Sequence, residues 1–399
     1  MKHSTQKLMV TIFMVGMLVV GLVITPGMSQ AALKGNVALV IDVGGRGDLS
    51  FNDMGYKGTE KAAADFDLKM VEIQSASAAD YLPNIRNAAR SRSFDLIIAV
   101  GFLLTDAVAT VAGEYPDQKF MIIDSVVEAP NVMSIVFKEN EGSALVGALA
   151  AMVAAHFGYP YVGAVLGIEI PVLYHFEAGY RFGIDWGNRA YAQKTDTDPR
   201  TGLLYTYTGT FSDIAKGKEA TEAMLAQGAG LVYNIAGPLG IGDLQAITEE
   251  IKGKGKEAGP PFMIGVDANQ DWMGDGHRVL ASMLKRVDNA CYNAIEAVVK
   301  GTFEASLIVM GLDVQGVAMS KEPELLTFMD FGIGAGKITE KDKDDIISNW
   351  KNMRAQIPSW IWNAVADLEK QIISGNISVP TANTLADIKA IRSKYPLTR

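Results

Sequence analysis

The sequence predicts an α/β fold, with two Rossmann-like lobes built on parallel sheets and joined by a hinge of strands. Short apolar runs alternate with helical patterns along the whole chain, and this alternation is typical of parallel sheets covered by helices. Runs such as 97–101 (LIIAV) are apolar at every position, which indicates burial on both faces of a sheet. Several runs end in an aspartate or a glycine-rich turn, at the edge where open α/β sheets bind ligands.

The first 31 residues are predicted to be a secretory signal peptide. Two lysines precede an apolar run at 8–25, and the small residues Ser29 and Ala31 offer a cleavage site before Ala32. The run is close to the lower length of a membrane span, so an uncleaved anchor is the alternative. No cysteine lies near the cleavage site. We therefore expect a periplasmic or otherwise extracytoplasmic protein that is not a lipoprotein.

Charge and cysteine content exclude further classes of protein. The chain has 36 basic and 45 acidic residues and a net charge of −9, which becomes more negative once the two lysines of the signal segment are removed. An acidic chain without a basic run is a poor candidate for nucleic-acid binding. Cys291 is the single cysteine, so no internal disulfide can form, and a chain of this length needs none.

The elements follow from apolar periodicity. Strands are predicted at 36–42, 68–73, 95–101, 119–124, 132–137, 161–166, 203–208, 230–235, 261–266, 279–283 and 307–311. Helices are predicted at 52–66, 79–90, 104–114, 140–157, 175–190, 212–227, 242–254, 287–300 and 360–373. The exposed loops at 191–202 and 252–261 are too short for a linker between domains. Strand crossovers must then join the lobes, with 32–138 plus 282–303 in lobe 1 and 139–281 plus 304–399 in lobe 2.

Three aspartates, Asp42, Asp124 and Asp267, each stand at the end of a predicted strand. Each one alone could also be a turn or helix-capping carboxylate. Together, on units of doubly wound sheets, they would line a cleft rich in hydrogen-bond acceptors. Such a cleft suits a small ligand rich in N–H and O–H donors.

The segment DVGGRGDLSFND at 42–53 resembles the DxGxxDDxSFN opening of the basic membrane protein family, solute-binding proteins that include purine nucleoside receptors. Similar segments follow in order: 101–107, 119–125, 175–183, 209–220, 235–242, 264–272 and 282–288. The resemblance covers essentially the whole mature chain and implies a type I periplasmic binding protein, with two lobes around a cleft. The chain departs from the family at Gly47, which replaces the first aspartate of the pair, and in lacking the lipobox cysteine.

The resemblance implies that Phe51 and Phe211, one from each lobe, sandwich a purine base as the hinge closes. It also implies that Asp42, Asn52 and Asp124 read the edge of the base. From the pattern alone, Phe51 is more simply a core residue and Phe211 part of a hydrophobic staple. Asn52 is equally explained as a helix cap.

For the sugar, the resemblance implies contacts from Gly237, Asp267 and Lys285. A carboxylate can accept from both hydroxyls of a ribose, and a glycine lets the backbone approach closely. The pattern alone favours a surface role for Lys285.

Motifs for catalysis are missing or incomplete. The segment 331–339 (FGIGAGKIT) fails as a phosphate-binding loop because Ile338 replaces the required serine or threonine. The histidines lack metal-ligand spacing, and we expect no metal, no cofactor and no enzymatic activity.

The sequence therefore predicts a solute-binding protein that passes a nucleoside, by expectation a purine nucleoside, to the permease of an ABC-type importer. Contact with the membrane would come only through that permease or an uncleaved anchor. The alternatives are a membrane-tethered sensor, a binding protein for another polar ligand such as a sugar, and a nucleoside-cleaving enzyme.

Overall fold

The computed structural model describes residues 35–397, and within this range strands and helices alternate. The strands are β1 (Asn36–Ile41), β2 (Lys69–Gln74), β3 (Leu96–Val100), β4 (Phe120–Ile123), β5 (Val132–Phe137), β6 (Tyr161–Leu166), β7 (Gly202–Tyr207), β8 (Ala229–Ile235), β9 (Phe262–Asp267), β10 (Val279–Lys285), β11 (Leu307–Met310) and β12 (Val317–Met319). The α-helices are α1 (Phe51–Asp65), α2 (Tyr81–Ser91), α3 (Thr105–Glu114), α4 (Glu139–Phe157), α5 (Pro171–Thr195), α6 (Ile214–Ala226), α7 (Gly240–Gly253), α8 (Val287–Val299), α9 (Glu322–Gly334), α10 (Lys343–Ala355), α11 (Ser359–Ile373) and α12 (Leu385–Lys394). The predicted signal peptide lies outside the described residues. Inside them, no helix has both the length and the apolar character that crossing a membrane requires.

Two six-stranded sheets carry the fold, in the orders β11-β5-β4-β3-β1-β2 and β12-β10-β9-β8-β6-β7. The first sheet is parallel throughout, and in the second only β12 runs antiparallel, against β10. The central strands are buried along their whole length, as in β3 and β9, because helices cover both faces of each sheet. The predicted α/β class and type I periplasmic binding protein architecture are confirmed.

The sheets divide the chain differently from the predicted lobe ranges at two places. Residues 282–285 were expected in lobe 1, but β10 pairs with β9 and β12 in the second sheet. Residues 307–310 were expected in lobe 2, but β11 pairs with β5 in the first. Both strands flank crossovers, and an apolar run does not itself specify which of two similar sheets it joins.

The predicted strands all have counterparts, whereas several elements near the C-terminus were not predicted. These are β12, α9, α10 and α12. A strand of three residues leaves too short a pattern to detect, and α9 ends in a glycine-rich stretch. The α10 helix did carry a signal, because Ile346, Trp350 and Met353 are buried at helical spacing. Helix α5 also continues to Thr195, into the segment expected to be a loop.

Helices α4 and α5 pack tightly in lobe 2, and the first residues of α5 line the interlobe cavity. The close approach needs small residues, since a Cβ on Gly183 would clash with the carbonyl oxygen of Ala144. Such packing gives the beginnings of both helices a rigid support.

The lobes touch across the cleft. The Ser50 hydroxyl of lobe 1 lies 2.9 Å from the carbonyl oxygen of Val266 in lobe 2, to which it donates. The Gln270 side chain donates to the carbonyl oxygen of Leu49 at 3.1 Å. These bonds connect the two lobes directly.

Candidate ligand-binding site

A cavity lies between the lobes, where the carboxyl ends of the two sheets face each other. All eight residues selected from the sequence line it: Asp42, Phe51, Asn52, Asp124, Phe211, Gly237, Asp267 and Lys285. Long-range topology, which brings the strand ends together, therefore agrees with the strand-end pattern and the family resemblance that together selected them.

Asp42 and Asn52 are joined by a hydrogen bond in lobe 1. The Asn52 amide donates to Asp42 Oδ1 at 3.1 Å, and the backbone N–H of Gly44 donates to the same oxygen at 2.9 Å. Burial raises the pKa of Asp42, and these two bonds partly oppose the rise. Asn52 Oδ1 is buried and has no hydrogen-bond partner among residues 35–397.

Asp48 is a lining residue that the sequence analysis did not select. Its carboxylate accepts backbone N–H bonds from Ser50, Asn52 and Asp53 at 2.8–3.1 Å. It therefore caps α1, the role that had been the alternative for Asn52. Burial, reinforced by the charge of Asp53, raises the pKa of Asp48 to about 8.

The sequence feature that could have identified Asp48 is the aspartate pair in the opening motif of the family, because Asp48 is the member of that pair that this chain retains. Gly47, at the other position, is outside the cavity lining and has a φ of 84°. Left-handed backbone of this kind favours glycine. The departure at Gly47 therefore changes a turn and leaves the retained aspartate at the cavity.

Asp124 and Asp267 share an unusual backbone conformation, with φ values of 68° and 63°. Aspartate tolerates this left-handed region better than most residues, and strained positions of this kind cluster at functional sites. In each side chain one oxygen is bonded: Asp124 Oδ2 accepts from Lys285 at 2.6 Å, and Asp267 Oδ2 accepts from Ser50 at 3.0 Å. Both Oδ1 atoms are buried and without a partner among the described residues.

Lys285 ends β10 and is buried, with 1% of its surface exposed. Its ammonium lies 2.6 Å from Asp124 Oδ2 and 2.9 Å from Glu139 Oε1. Burial alone would lower the pKa of Lys285, but the facing carboxylates raise it above its ordinary value. The pattern favoured a surface role for Lys285, and this is wrong because the side chain is buried. Its two carboxylate partners offset the free-energy cost of burying the charge.

Burial raises the pKa of Asp124 to about 7 and that of Asp267 to about 6, against the lowering effect of the charge on Lys285. Glu139 is the first residue of α4 and was not selected from the sequence. Its pKa is lowered, because the effects of Lys285 and His175 together outweigh that of burial. The sequence feature that could have identified Glu139 is an acidic residue in the first turn of a buried helix, where the helix dipole favours negative charge.

Phe51 opens α1 in lobe 1, and Phe211 precedes α6 in lobe 2. Both line the cavity, and the Phe51 ring centre lies 5.1 Å from Lys285 Nζ. Gly237 also lines it, with a φ of 53°, and a Cβ there would stand 3.9 Å from Asp48 Oδ2 in the opposite lobe. Aromatic and polar groups thus face one another across the cleft.

Two parallel α/β lobes closed on a cavity with apolar and acidic walls define a solute-binding protein of the type I periplasmic class. The family model of PnrA-like ABC transporter substrate-binding proteins, Bmp, matches residues 35–348. The chain belongs to this family. Its members are substrate-binding proteins rather than enzymes, which agrees with the absence of a catalytic motif.

Individual relatives support the assignment. An uncharacterized lipoprotein of Pyrococcus abyssi is 36% identical over 364 residues, covering 90% of this chain and 87% of the relative. The ABC transporter nucleoside-binding protein BmpA of Lactococcus lactis is 31% identical over 298 residues, covering 71% of this chain and 80% of its own. An ABC transporter solute-binding protein from Aeropyrum pernix superposes with a TM-score of 0.81 at 34% identity, covering 91% and 97% of the two chains.

One expectation is corrected by these relatives. The absence of a cysteine near the cleavage site led us to expect that the chain is not a lipoprotein, and the Pyrococcus relatives named lipoproteins contradict this. A missing motif carries less weight than similarity over most of the chain. An extracytoplasmic location is consistent with the same relatives.

Proposed function

We propose that this protein captures a purine nucleoside in the interlobe cavity and delivers it to the permease of an ABC importer. One observation carries the proposal: Asn52, Asp124 and Asp267 line the same cavity, and the Oδ1 atom of each is buried and without a partner among the described residues. Leaving a buried acceptor unpaired costs about 1–3 kcal/mol. The three oxygens therefore favour a ligand that supplies several N–H and O–H donors.

The outer part of the cavity suits the base. Phe51 and Phe211 come from opposite lobes, and stacking on an aromatic ring is worth about 1–3 kcal/mol per base. Asp42 and Asn52 lie on the same side as Phe51, where they would accept from the ring and exocyclic N–H groups of a purine. Asp124 would offer its free Oδ1 to the base while its Oδ2 stays with Lys285.

The part of the cavity near the crossovers suits the ribose. Asp267 has one free oxygen and Lys285 a cationic donor, so together they can pair with adjacent hydroxyls. Gly237 lines the cavity further out, where a Cβ would stand 3.9 Å from Asp48 Oδ2. It presents only backbone there, which would allow a close approach of the sugar. The name of the Lactococcus lactis relative, a nucleoside-binding protein, favours the same class of ligand.

A thermal-shift panel tests the proposal directly. Purine nucleosides, pyrimidine nucleosides, free bases, ribose and hexoses would each be added to the purified protein at equal concentration. A ligand present at a hundred times its Kd stabilises the folded state by about 2.7 kcal/mol, so purine nucleosides should give the largest rise in Tm. A larger rise with a free sugar, and none with any nucleoside, would overturn the proposal and favour a sugar-binding protein.

A further inference from the structure

A row of polar contacts leads from the cavity to the C-terminal part of the chain. Glu139 contacts Lys285 through Oε1, and its other oxygen, Oε2, lies 3.1 Å from His175 Nδ1 in the first turns of α5. The second ring nitrogen of His175, Nε2, lies 2.9 Å from Asn383 Oδ1. Asn383 belongs to the segment between α11 and α12, beyond the end of the family match at residue 348.

Both ring nitrogens of His175 face oxygen acceptors. A neutral imidazole has a single N–H donor, whereas the imidazolium has two. Only the protonated ring can therefore donate to Glu139 and Asn383 at the same time. Burial lowers the pKa of His175, but the hydrogen bonds to Glu139 and Asn383 and the charge of Glu139 raise it above its ordinary value, against a smaller opposing effect of Lys285.

The charge on Glu139 is shared between two cations. While His175 is protonated, it holds Oε2, and Lys285 needs to compensate only part of the carboxylate. If His175 lost its proton, Lys285 alone would balance the charge of Glu139, and the carboxylate would draw the ammonium away from Asp124, which lies 2.6 Å from it on the cavity side. The position of Lys285 in the cavity thus depends on a ring that lines no part of it.

We infer that Asn383 and His175 are positioning residues that hold Lys285 for the ligand through Glu139, so that binding is tightest while His175 is protonated. This inference rests on the proposed function and adds a contribution from the C-terminal segment. Asp267 and Asp124 ionise with pKa values of about 6 and 7, so affinity should first rise as these carboxylates become charged. On the alkaline side it should fall as the pH rises through the pKa of His175. Coupling is reciprocal, so the ligand must in turn raise the pKa of His175.

Calorimetric titration with guanosine from about pH 5 to about pH 9 tests this inference in the full mature protein. Asn383→Asp places a carboxylate against Nε2 and should move the alkaline loss of affinity to higher pH. Asn383→Ala removes the acceptor and should move it to lower pH. We expect shifts of about 0.5 pH units in each direction, or about threefold in affinity on the falling limb.

Asn376→Asp is the matched control, because Asn376 is exposed in the same segment and the variant carries the same change of charge. It should leave the alkaline limb where the wild type has it. Identical limbs in the wild type and both Asn383 variants would overturn the inference, since a merely structural Asn383 would change Tm without opposite shifts in pH dependence.

A ligand-free measurement separates this inference from the proposed function. The chain has four histidines, so NMR of histidine-labelled protein can follow His175, assigned with His175→Gln. Lys285→Met should raise the pKa of His175, because a cation close to Glu139 is removed. If no nucleoside binds, the proposed function fails and this titration still decides whether His175 and Lys285 are coupled. An unchanged pKa would overturn the coupling.

Discussion

The two ends of the cavity keep their carboxylates buried by different means. At the outer end, Asp42 and Asp48 are held by amide and backbone N–H donors. At the end near the crossovers, the buried ammonium of Lys285 holds Asp124 on the cavity wall and Glu139, which does not line the cavity. Hydrogen bonds from neutral donors orient a carboxylate, whereas an ion pair also compensates its charge. The difference teaches that removing the charge of Lys285 at the crossover end should affect folding strongly, whereas removing an aromatic wall at the outer end should affect mainly binding.

The largest effect is expected from Lys285→Met. Breaking a buried ion pair by removing one partner costs about 3–5 kcal/mol, because the remaining charges are left uncompensated. Urea unfolding of the ligand-free protein should show a loss of this size. The double variant Lys285→Met, Asp124→Asn should recover part of it, and a double variant no more stable than the single one would argue against charge as the cause.

At the outer end, Phe211→Ala should weaken nucleoside binding with little change in folding. The ring is only partly buried and lies on the cavity wall, so its loss removes stacking worth about 1–3 kcal/mol. Calorimetry would measure the affinity and urea unfolding the stability. A variant that loses stability but binds guanosine normally would reverse the contrast between the two ends.

Asp267→Asn should stabilise the ligand-free protein at neutral pH while weakening ligand binding. A carboxyl whose pKa rises to about 6 on folding binds more protons in the folded state, so its contribution to stability falls as the pH rises from about 4 to about 6. Removing this ionisation should recover about 1–3 kcal/mol near pH 7. Equal stability of the variant and the wild type across this range would contradict the assignment.

The smallest effect concerns the sugar. A site that pairs with both ribose hydroxyls leaves polar groups unpaired when one hydroxyl is missing. We expect deoxyguanosine to bind about tenfold more weakly than guanosine, or about 1.4 kcal/mol. Equal affinities in calorimetry would contradict the assignment of Asp267 and Lys285 to the ribose hydroxyls.

Much of the fold could be predicted because its signals are local. Apolar runs and helical periodicity located the strands from β1 to β11, and the strand-end aspartates located the cavity. The sheet that each strand joins depends on long-range hydrogen bonds, which explains why residues 282–285 and 307–310 were assigned to the opposite lobes.

The sequence identified residues that line the cavity, but it did not show how their charges are paired. Lys285 was selected by resemblance, but its burial and its pairing with Glu139 depend on how α4 meets β10. His175 carried no spacing that would identify it, since its partners Glu139 and Asn383 are 36 and 208 residues away. Contacts over such separations leave no periodic trace in a single sequence.

A crystal structure of the mature protein grown with guanosine would test the central claim most directly. The account predicts a purine ring between Phe51 and Phe211, with donors on the free oxygens of Asn52 and Asp124 and the ribose hydroxyls at Asp267 and Lys285. Guanosine bound outside this cavity, or in it with the base away from both rings, would contradict the account.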